Sequence, residues 1–367
     1  MKILAAVAHG NRQPLALEQV DLAEPADGEI LVRLVATGIC GTDLSMIDHV
    51  PMPWPAVFGH EGAGIVERTG CAVTTVAPGD HVILSTTSCG HCPSCQRGAL
   101  ALPLLHRVQH VRGPPGGRKL HHAPARQAVF ASFLGQSSFA AYVLSSERNT
   151  IKVDKDLPLD ILAPFGCGIQ TGAGAVLNTL KVEAGRSIAV FGAGAVGLSA
   201  MMAARIAGCG PITVVDTNTG RLELARELGA DRTINAMEED AVAALRATGG
   251  VDYAVEAAGI ARVMEDAVEA LGVNGQAALV GVASGQKVSL DPSMLQARGL
   301  TVKGTLMAGK GALPAQFVTQ LIAFWQAGKL PVERMIRHYE FCQINEAIAA
   351  AKDGSAVKPI LRFPEYG

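Results

Sequence analysis

The sequence predicts an α/β protein of two domains, the first mainly β and the second a doubly wound parallel sheet. Three observations carry this prediction. The chain has 367 residues, enough for two cores at roughly 150 residues per domain. Residues 170–305 alternate short apolar runs with helical patterns, the spacing of βαβ units. Residues 1–160 instead carry short β-rich runs punctuated by Gly and Pro, the texture of an irregular, mainly β fold.

In the first domain the runs are GEILVRLVA (28–36), AGIVERTG (63–70) and DHVILST (80–86). In the second, SIAVF (187–191), PITVVD (211–216), ADRTINA (230–236), DYAVEAAG (252–259), GQAALVG (275–281) and LTVKGTL (300–306) read as buried strands. Helical patterns separate them: AVGLSAMMAARIAG, TGRLELARELG, EEDAVAALRATG and ARVMEDAVEALG. After residue 306 a helix near 314–328 and a strand KPILRF (358–363) suggest a return to the first domain.

Composition narrows the function. Hydrophobic residues make up 49% and charged residues 17%, too apolar a balance for intrinsic disorder. A net charge of −2 and 4% aromatics give neither the basic surface nor the stacking platforms of a nucleic-acid binder. The apolar run at residues 3–8 is too short for a signal-peptide core, and no stretch approaches a membrane span. The expectation is a soluble, cytoplasmic protein with no membrane partner. In that compartment the eight cysteines act as ligands or buried thiols rather than disulfides.

The run SIAVF leads directly into Gly192, Gly194 and Gly197, a G-x-G-x-x-G that opens a helix. The first glycine permits the tight turn, the second lets backbone approach a pyrophosphate, and the third lets helix and strand pack closely. Asp216 ends the next strand, placed to bond a ribose 2′-hydroxyl and repel a 2′-phosphate, which favours NAD over NADP. The competing reading is a structural glycine turn beside a solvated carboxylate.

The first domain also holds ICGTD, with Cys40, Thr42 and Asp43, and GHEGAGIV, with His60 and Glu61. FGCGIQTGAG follows, with Cys167 and Thr171. Two thiolates and an imidazole, with a fourth position open, make a catalytic zinc site. Taken singly, a cysteine is most often an apolar filler, and His60 could be a satisfied loop histidine. Spacing alone does not bring such distant residues together.

With these motifs in hand, the sequence resembles the zinc-dependent medium-chain alcohol dehydrogenases. The resemblance spans nearly the whole chain, with GHEGAGIV, a C-x-x-C-x-x-C run and the Gly-rich turn in the family's order. It implies a GroES-like catalytic domain over 1–168, completed by 307–367, and a Rossmann NAD-binding domain over 169–306. It also implies that Cys40, His60 and Cys167 bind catalytic zinc, with Glu61 close by as an alternative carboxylate and Asp43 orienting His60. FLGQSSFAAY (133–142) and GCGIQTGAGAVLN (166–178) look most like aryl-alcohol dehydrogenases of the benzyl alcohol type. The implied reaction takes a primary aryl or allylic alcohol to its aldehyde with hydride passed to NAD, zinc serving as Lewis acid.

The resemblance assigns further roles. Thr42 would take the alcohol proton and pass it toward the nicotinamide ribose. Ser45 stands where some relatives carry a histidine, so the relay would end in Ser45 or water, His49 being a surface residue. Gly41 replaces a basic phosphate contact of many relatives, which Lys358 would partly restore. Thr171 is counted with the cofactor contacts, and Ser85, Phe133 and Leu134 would line the substrate pocket. The family also implies a homodimer or homotetramer. Two alternatives stand beside this reading: a polyol or secondary-alcohol dehydrogenase on the same scaffold, and a zinc-poor, inactive nucleotide-binding relative.

Cys89, Cys92 and Cys95 form the C-x-x-C-x-x-C run of a structural zinc lobe. The family's fourth cysteine falls at Pro103, which cannot ligate. Residues 100–126 carry five basic residues, four histidines and four prolines, without helix or strand period. Replacement of family-like text by a stretch of similar length points to two compensating frameshifts, and a coding sequence with no cysteine codon near 103 in either alternative frame would refute that. Read as written, His106 or His110 could complete a Cys₃His site. Cys71, Cys209 and Cys342 belong to no motif and are expected to be buried fillers.

Overall fold

The computed structural model describes the chain except residues 51, 53, 89–91, 93–94, 96–119, 123–126, 284 and 365–367. It divides into two units, Met1–Cys167 with Glu333–Gly367, and Gly168–Val332. Among the described residues no helix is long and apolar enough to cross a membrane.

The first unit begins with strands β1 (Lys2–Ala8), β2 (Ala16–Asp21) and β3 (Glu29–Gly38), then helix α1 (Gly41–His49). Strands β4 (Ala56–Val57), β5 (Gly62–Thr69), β6 (His81–Leu84), β7 (Leu120–His122), β8 (Gln127–Val129), β9 (Tyr142–Ser146) and β10 (Thr150–Val153) follow. The second unit then supplies α2 (Gly168–Gly174), β11 (Ile188–Phe191), α3 (Ala195–Ile206), β12 (Ile212–Asp216), α4 (Thr219–Glu227), β13 (Arg232–Asn235) and α5 (Ala241–Arg246). It continues through β14 (Val251–Glu256), α6 (Ala261–Glu269), β15 (Leu271–Leu279), α7 (Pro292–Arg298), β16 (Thr301–Gly304) and α8 (Pro314–Gln326). The chain returns to the first unit with β17 (Ile336–Glu340), α9 (Ile344–Asp353) and β18 (Lys358–Arg362).

Two sheets build the first unit, in the orders β4-β1-β2-β7-β8 and β10-β6-β5-β3-β18-β17, with β9 also on β3. The run read as 28–36 is β3, displaced by a residue or two, and its mostly buried face packs into a core that includes Phe58, Phe133 and Phe139. Its pairing with β5 shifts register at Leu31/Val32 and Leu34/Ala36, irregularities that bend a strand. Strand β7 lies in the 100–126 stretch for which no strand period was expected; its backbone pairs antiparallel with β2, Val20 opposite His122.

The second unit is a six-stranded sheet in the order β13-β12-β11-β14-β15-β16, every neighbour parallel. Strands covered on both faces read as continuous apolar runs, and Ile188–Phe191 is buried throughout. Strand order reverses direction at β11, between β12 and β14, the topological switch point where such sheets bind ligands.

One boundary differs from expectation. The helix near 314–328, read as part of the returning tail, is α8 of the second unit. The segment before it is tied down there: Asn178 Nδ2 donates to Ala308 O at 2.7 Å, and the hydroxyls of Thr179 and Thr305 bond at 2.7 Å.

Candidate active site

In the first unit Cys40, His60, Glu61 and Cys167 converge, one ligand atom from each lying within 4.8 Å of all the others. Three separate segments deliver them. Cys40 is the extended residue that starts α1, His60 and Glu61 precede β5, and Cys167 ends the turn Ala163–Gly166. Asp43 joins two of these segments. As the third residue of α1 it reaches back through Oδ2 to the Cys40 N–H at 3.0 Å, satisfying a donor that every helix start leaves open. Its Oδ1 receives the Gly59 N–H at 3.1 Å and faces His60 Nδ1 at 2.8 Å. With Nδ1 so engaged, His60 Nε2 is buried without a hydrogen-bond partner.

That atom is the test of whether a metal fits. A buried ring nitrogen left unbonded is costly, and metal-bound histidines commonly give their other nitrogen to a carboxylate. Two thiols and an imidazole are also the donor set that suits zinc. The residues present therefore fit the ion.

The electrostatics agree with that fit. A hydrogen bond from the Cys167 thiol, aided by His60 and Lys358, outweighs burial and holds Cys40 well below the usual thiol range. The same bond, with burial, pushes Cys167 well above it. Burial opposes charge on His60, but the Asp43 carboxylate and the Cys40 sulfur outweigh it and raise the imidazole well above its ordinary value. A divalent cation takes thiolates and a neutral imidazole, so its binding here displaces the protons these groups hold.

Lys358, for which the resemblance implied a phosphate contact, pairs in this structure with Glu61. It is 2% exposed, and its Nζ lies 3.1 and 2.9 Å from the two Glu61 oxygens and donates to Ile39 O at 3.2 Å. Burial would lower it, yet Glu61 and Cys40 raise the ammonium above its usual value. Glu61 is raised by its own burial, with Lys358 opposing.

Thr42 and Ser45 are half-buried on α1, three residues apart, and so share one helix face. His49 is exposed, its Nδ1 3.4 Å from the Arg12 guanidinium. Ser85 is buried, and its hydroxyl donates to Gly166 O at 2.9 Å, beside Cys167. Phe133 stands edge-on to the His60 ring at 5.7 Å and to Phe58 at 5.1 Å, with Trp54 5.9 Å beyond. Leu134 is half-buried with φ of 51°.

The second unit holds the Gly-rich turn at the end of β11. Gly192 has φ of 100°, and a Cβ there would lie 2.9 Å from Ala258 N. A Cβ at Gly197 would be 1.7 Å from Gly192 O, whereas at Gly194, the residue that starts α3, nothing lies within 4 Å. Of the three glycines, the first serves the turn, the last serves packing, and the middle one leaves backbone open to a ligand. Asp216 Oδ2 accepts from Ala193 N at 2.5 Å, and Oδ1 accepts from Thr217 N and Asn218 N at 2.8 and 2.9 Å. The carboxylate thus fixes the end of β12 to the turn. Thr171 is buried on α2, which packs against α3, and its hydroxyl faces Met307 Sδ at 3.9 Å.

Sequence reasoning missed Glu256, at the end of β14. It is fully buried, and its Oε1 accepts from Ala258 N at 2.8 Å and Gly259 N at 2.6 Å, shaping the loop that Gly192 meets. Burial raises its carboxyl, against those bonds. A carboxylate at the end of the strand VDYAVE, after the apolar Tyr253–Val255, was the available signal.

The remaining cysteines divide. Cys92 and Cys95 have sulfurs 3.5 Å apart; Cys89, Pro103, His106 and His110 lie outside the described residues, as does most of 100–126. The expectation of buried fillers fails for Cys71 and Cys342, which are exposed, and Cys209 is half-buried. Cys71 lies in the turn after β5 and Cys342 in the turn Phe341–Gln343, where local backbone geometry decides exposure.

Residues 26–155 match the family described as alcohol dehydrogenase GroES-like domain, and residues 195–324 match the one described as zinc-binding dehydrogenase. A geraniol dehydrogenase of Castellaniella defragrans is 40% identical over 98% of this chain and 97% of its own length. The crystal structure of an alcohol dehydrogenase zinc-binding domain protein from Burkholderia ambifaria is similar at a TM-score of 0.94 and 44% identity, covering 100% of both chains. That of benzyl alcohol dehydrogenase from Acinetobacter calcoaceticus gives 0.91 and 40%, covering 99% of this chain and 100% of that one. With two domain families in this order and such relatives along its whole length, the chain belongs to the zinc-dependent medium-chain alcohol dehydrogenases.

Proposed function

We propose that this alcohol dehydrogenase oxidises primary aryl or allylic alcohols to aldehydes with NAD as hydride acceptor. The observation that carries the reading is the convergence of half-buried Cys40 with buried His60 and Cys167, with Asp43 on the far nitrogen of His60. Zinc held by these three residues supplies Lewis-acid polarisation of the alcohol oxygen. Asp43 keeps the imidazole in one orientation and one tautomer, with Nε2 free to ligate. Thr42 takes the alcohol proton on its hydroxyl, and Ser45, one turn along α1, carries it toward water.

Gly194 offers open backbone at a helix start to the dinucleotide phosphates. Asp216 Oδ2, which accepts a single N–H, keeps an electron pair for a ribose 2′-hydroxyl, and the carboxylate charge disfavours NADP. The aromatic run Trp54, Phe58 and Phe133 beside His60 supports a flat, apolar substrate. So do the names of two relatives, a geraniol and a benzyl alcohol dehydrogenase.

The test is NAD reduction over benzyl, cinnamyl, aliphatic and polyol alcohols, with zinc counted on the same sample. The expected result is highest kcat/KM for benzyl and cinnamyl alcohol on zinc-containing protein. A preference for polyols or secondary alcohols would move the enzyme to that substrate class. Absence of both zinc and turnover would leave a nucleotide-binding protein. For Thr42→Val the expectation is kcat lower by about 10²–10⁴-fold, the usual worth of a positioned proton acceptor, with zinc content unchanged. Undiminished turnover removes Thr42 from the relay.

A further inference from the structure

One side chain bonds the segment that carries His60 and, through Ser85, leads to the turn before Cys167. Gln136 is 3% exposed and sits in a loop whose backbone takes positive φ at Ser132 (66°), Leu134 (51°) and Ser137 (61°). Such conformations persist only where the surroundings over-determine them. Here Phe133 N donates to Ser137 Oγ at 2.8 Å, and Ser137 Oγ donates to Val57 O at 2.7 Å.

The loop aims the Gln136 carboxamide at three backbone groups. Its Nε2 donates to His60 O and Ser85 O, both at 2.8 Å, and its Oε1 accepts from Gly62 N at 3.1 Å. Ser85 continues the line, its hydroxyl bonded to Gly166 O beside Cys167. A path of hydrogen bonds thus runs from the residue that presents one ligand to the turn that presents another. The amide's orientation follows from the network, since reversing it would set oxygen against two carbonyls and nitrogen against an N–H. Glutamate would lack the two donors, methionine would fill the volume without the bonds, and asparagine would fall a methylene short.

We propose that Gln136 is a positioning residue of the metal centre, setting the separation of His60 from Cys167 through Ser85. The inference rests on the reading that Cys40, His60 and Cys167 hold zinc. Gln136 touches no reacting atom. Its effect falls on how tightly and in what geometry the ion is held.

The test compares Gln136→Met, Ser85→Ala and Ser137→Ala with the unaltered full-length protein. Zinc loss to a chelator is timed, the visible spectrum of the cobalt-substituted form is recorded, and thermal unfolding is followed. Gln136→Met is expected to lose zinc about 10–100-fold faster, as when a residue supporting a metal ligand is removed, with shifted cobalt bands. Ser85→Ala should show the same change, smaller. Ser137→Ala removes two loop bonds but none to the ligand segments, and should lower the unfolding temperature while leaving cobalt bands and zinc loss in place. If Gln136→Met behaves like Ser137→Ala, the proposal is overturned and Gln136 is structural alone. If Gln136→Met does not fold, Ser85→Ala decides, an unaltered spectrum and zinc loss refuting the path. Should the unaltered protein take up neither zinc nor cobalt, the zinc reading falls and this inference with it.

Discussion

The Cys40–His60–Cys167 cluster and the Gly192–Gly197 turn are built on opposite principles. The cluster is made of side chains brought from three separate segments and held by hydrogen bonds among them, Asp43 the central one. The turn is made of contiguous backbone, and depends on side chains that are missing: a left-handed Gly192, an open Gly194 and a closely packed Gly197. The first fails when a bond is lost at a distance, the second when an atom is added locally. The two sites should therefore break independently, each leaving the other's readout intact.

The largest separation is expected for His60→Ala. Losing a ligand forfeits several kcal/mol of charge stabilisation, about 10³-fold or more in kcat/KM. Zinc content should fall while NADH binding, read by fluorescence, stays within about twofold. Gly197→Ala should show the converse. Its Cβ would need to occupy a point 1.7 Å from Gly192 O, and overpacking of about 1–3 kcal/mol weakens NADH binding about 5- to 150-fold with zinc retained. Joint loss of zinc and cofactor in either variant would deny the independence of the sites.

Asp43→Asn sharpens the picture within the cluster. It keeps the shape but removes the negative charge facing His60 Nδ1 and one of the two acceptor oxygens, and zinc affinity by chelator competition should drop about 10–100-fold. Asp216→Ser acts within the turn and should be smallest. Relief of the repulsion toward a 2′-phosphate lowers the NAD over NADP preference in kcat/KM by about tenfold, roughly 1.4 kcal/mol. An unchanged preference would take Asp216 out of cofactor selection.

The same contrast explains what could be read in advance. The turn and its strand lie within a dozen residues, and buried parallel strands announce themselves as unbroken apolar runs, so the second unit's sheet was legible nearly to its ends. Cys40, His60 and Cys167 carry no mutual spacing, and only the family resemblance linked them. The pairing of Lys358 with Glu61, 297 residues away, is announced by no local pattern. Gln136 passed unnoticed because its work is done on backbone groups that no pattern of side chains reveals. The exposed Cys71 and Cys342 show turn geometry overriding the average tendency of a residue type to be buried. Helix α8 follows the last strand of the second unit's sheet and stays with that unit, which chain order alone does not reveal.

The Lys358–Glu61 pair also has a consequence for the order in which the molecule is made. Glu61 and the strand after it are synthesised early, but their ammonium arrives 297 residues later on β18, which also closes the sheet against β3, Ile360 opposite Gly38. A buried carboxylate without its counter-charge is strongly unfavourable. The buried pair and the β3–β18 edge of the first unit therefore cannot form until the whole second unit has been synthesised. The unit whose strands are synthesised first is thus the one whose last strand is synthesised last, and the cluster around His60 gains its ammonium only with that strand.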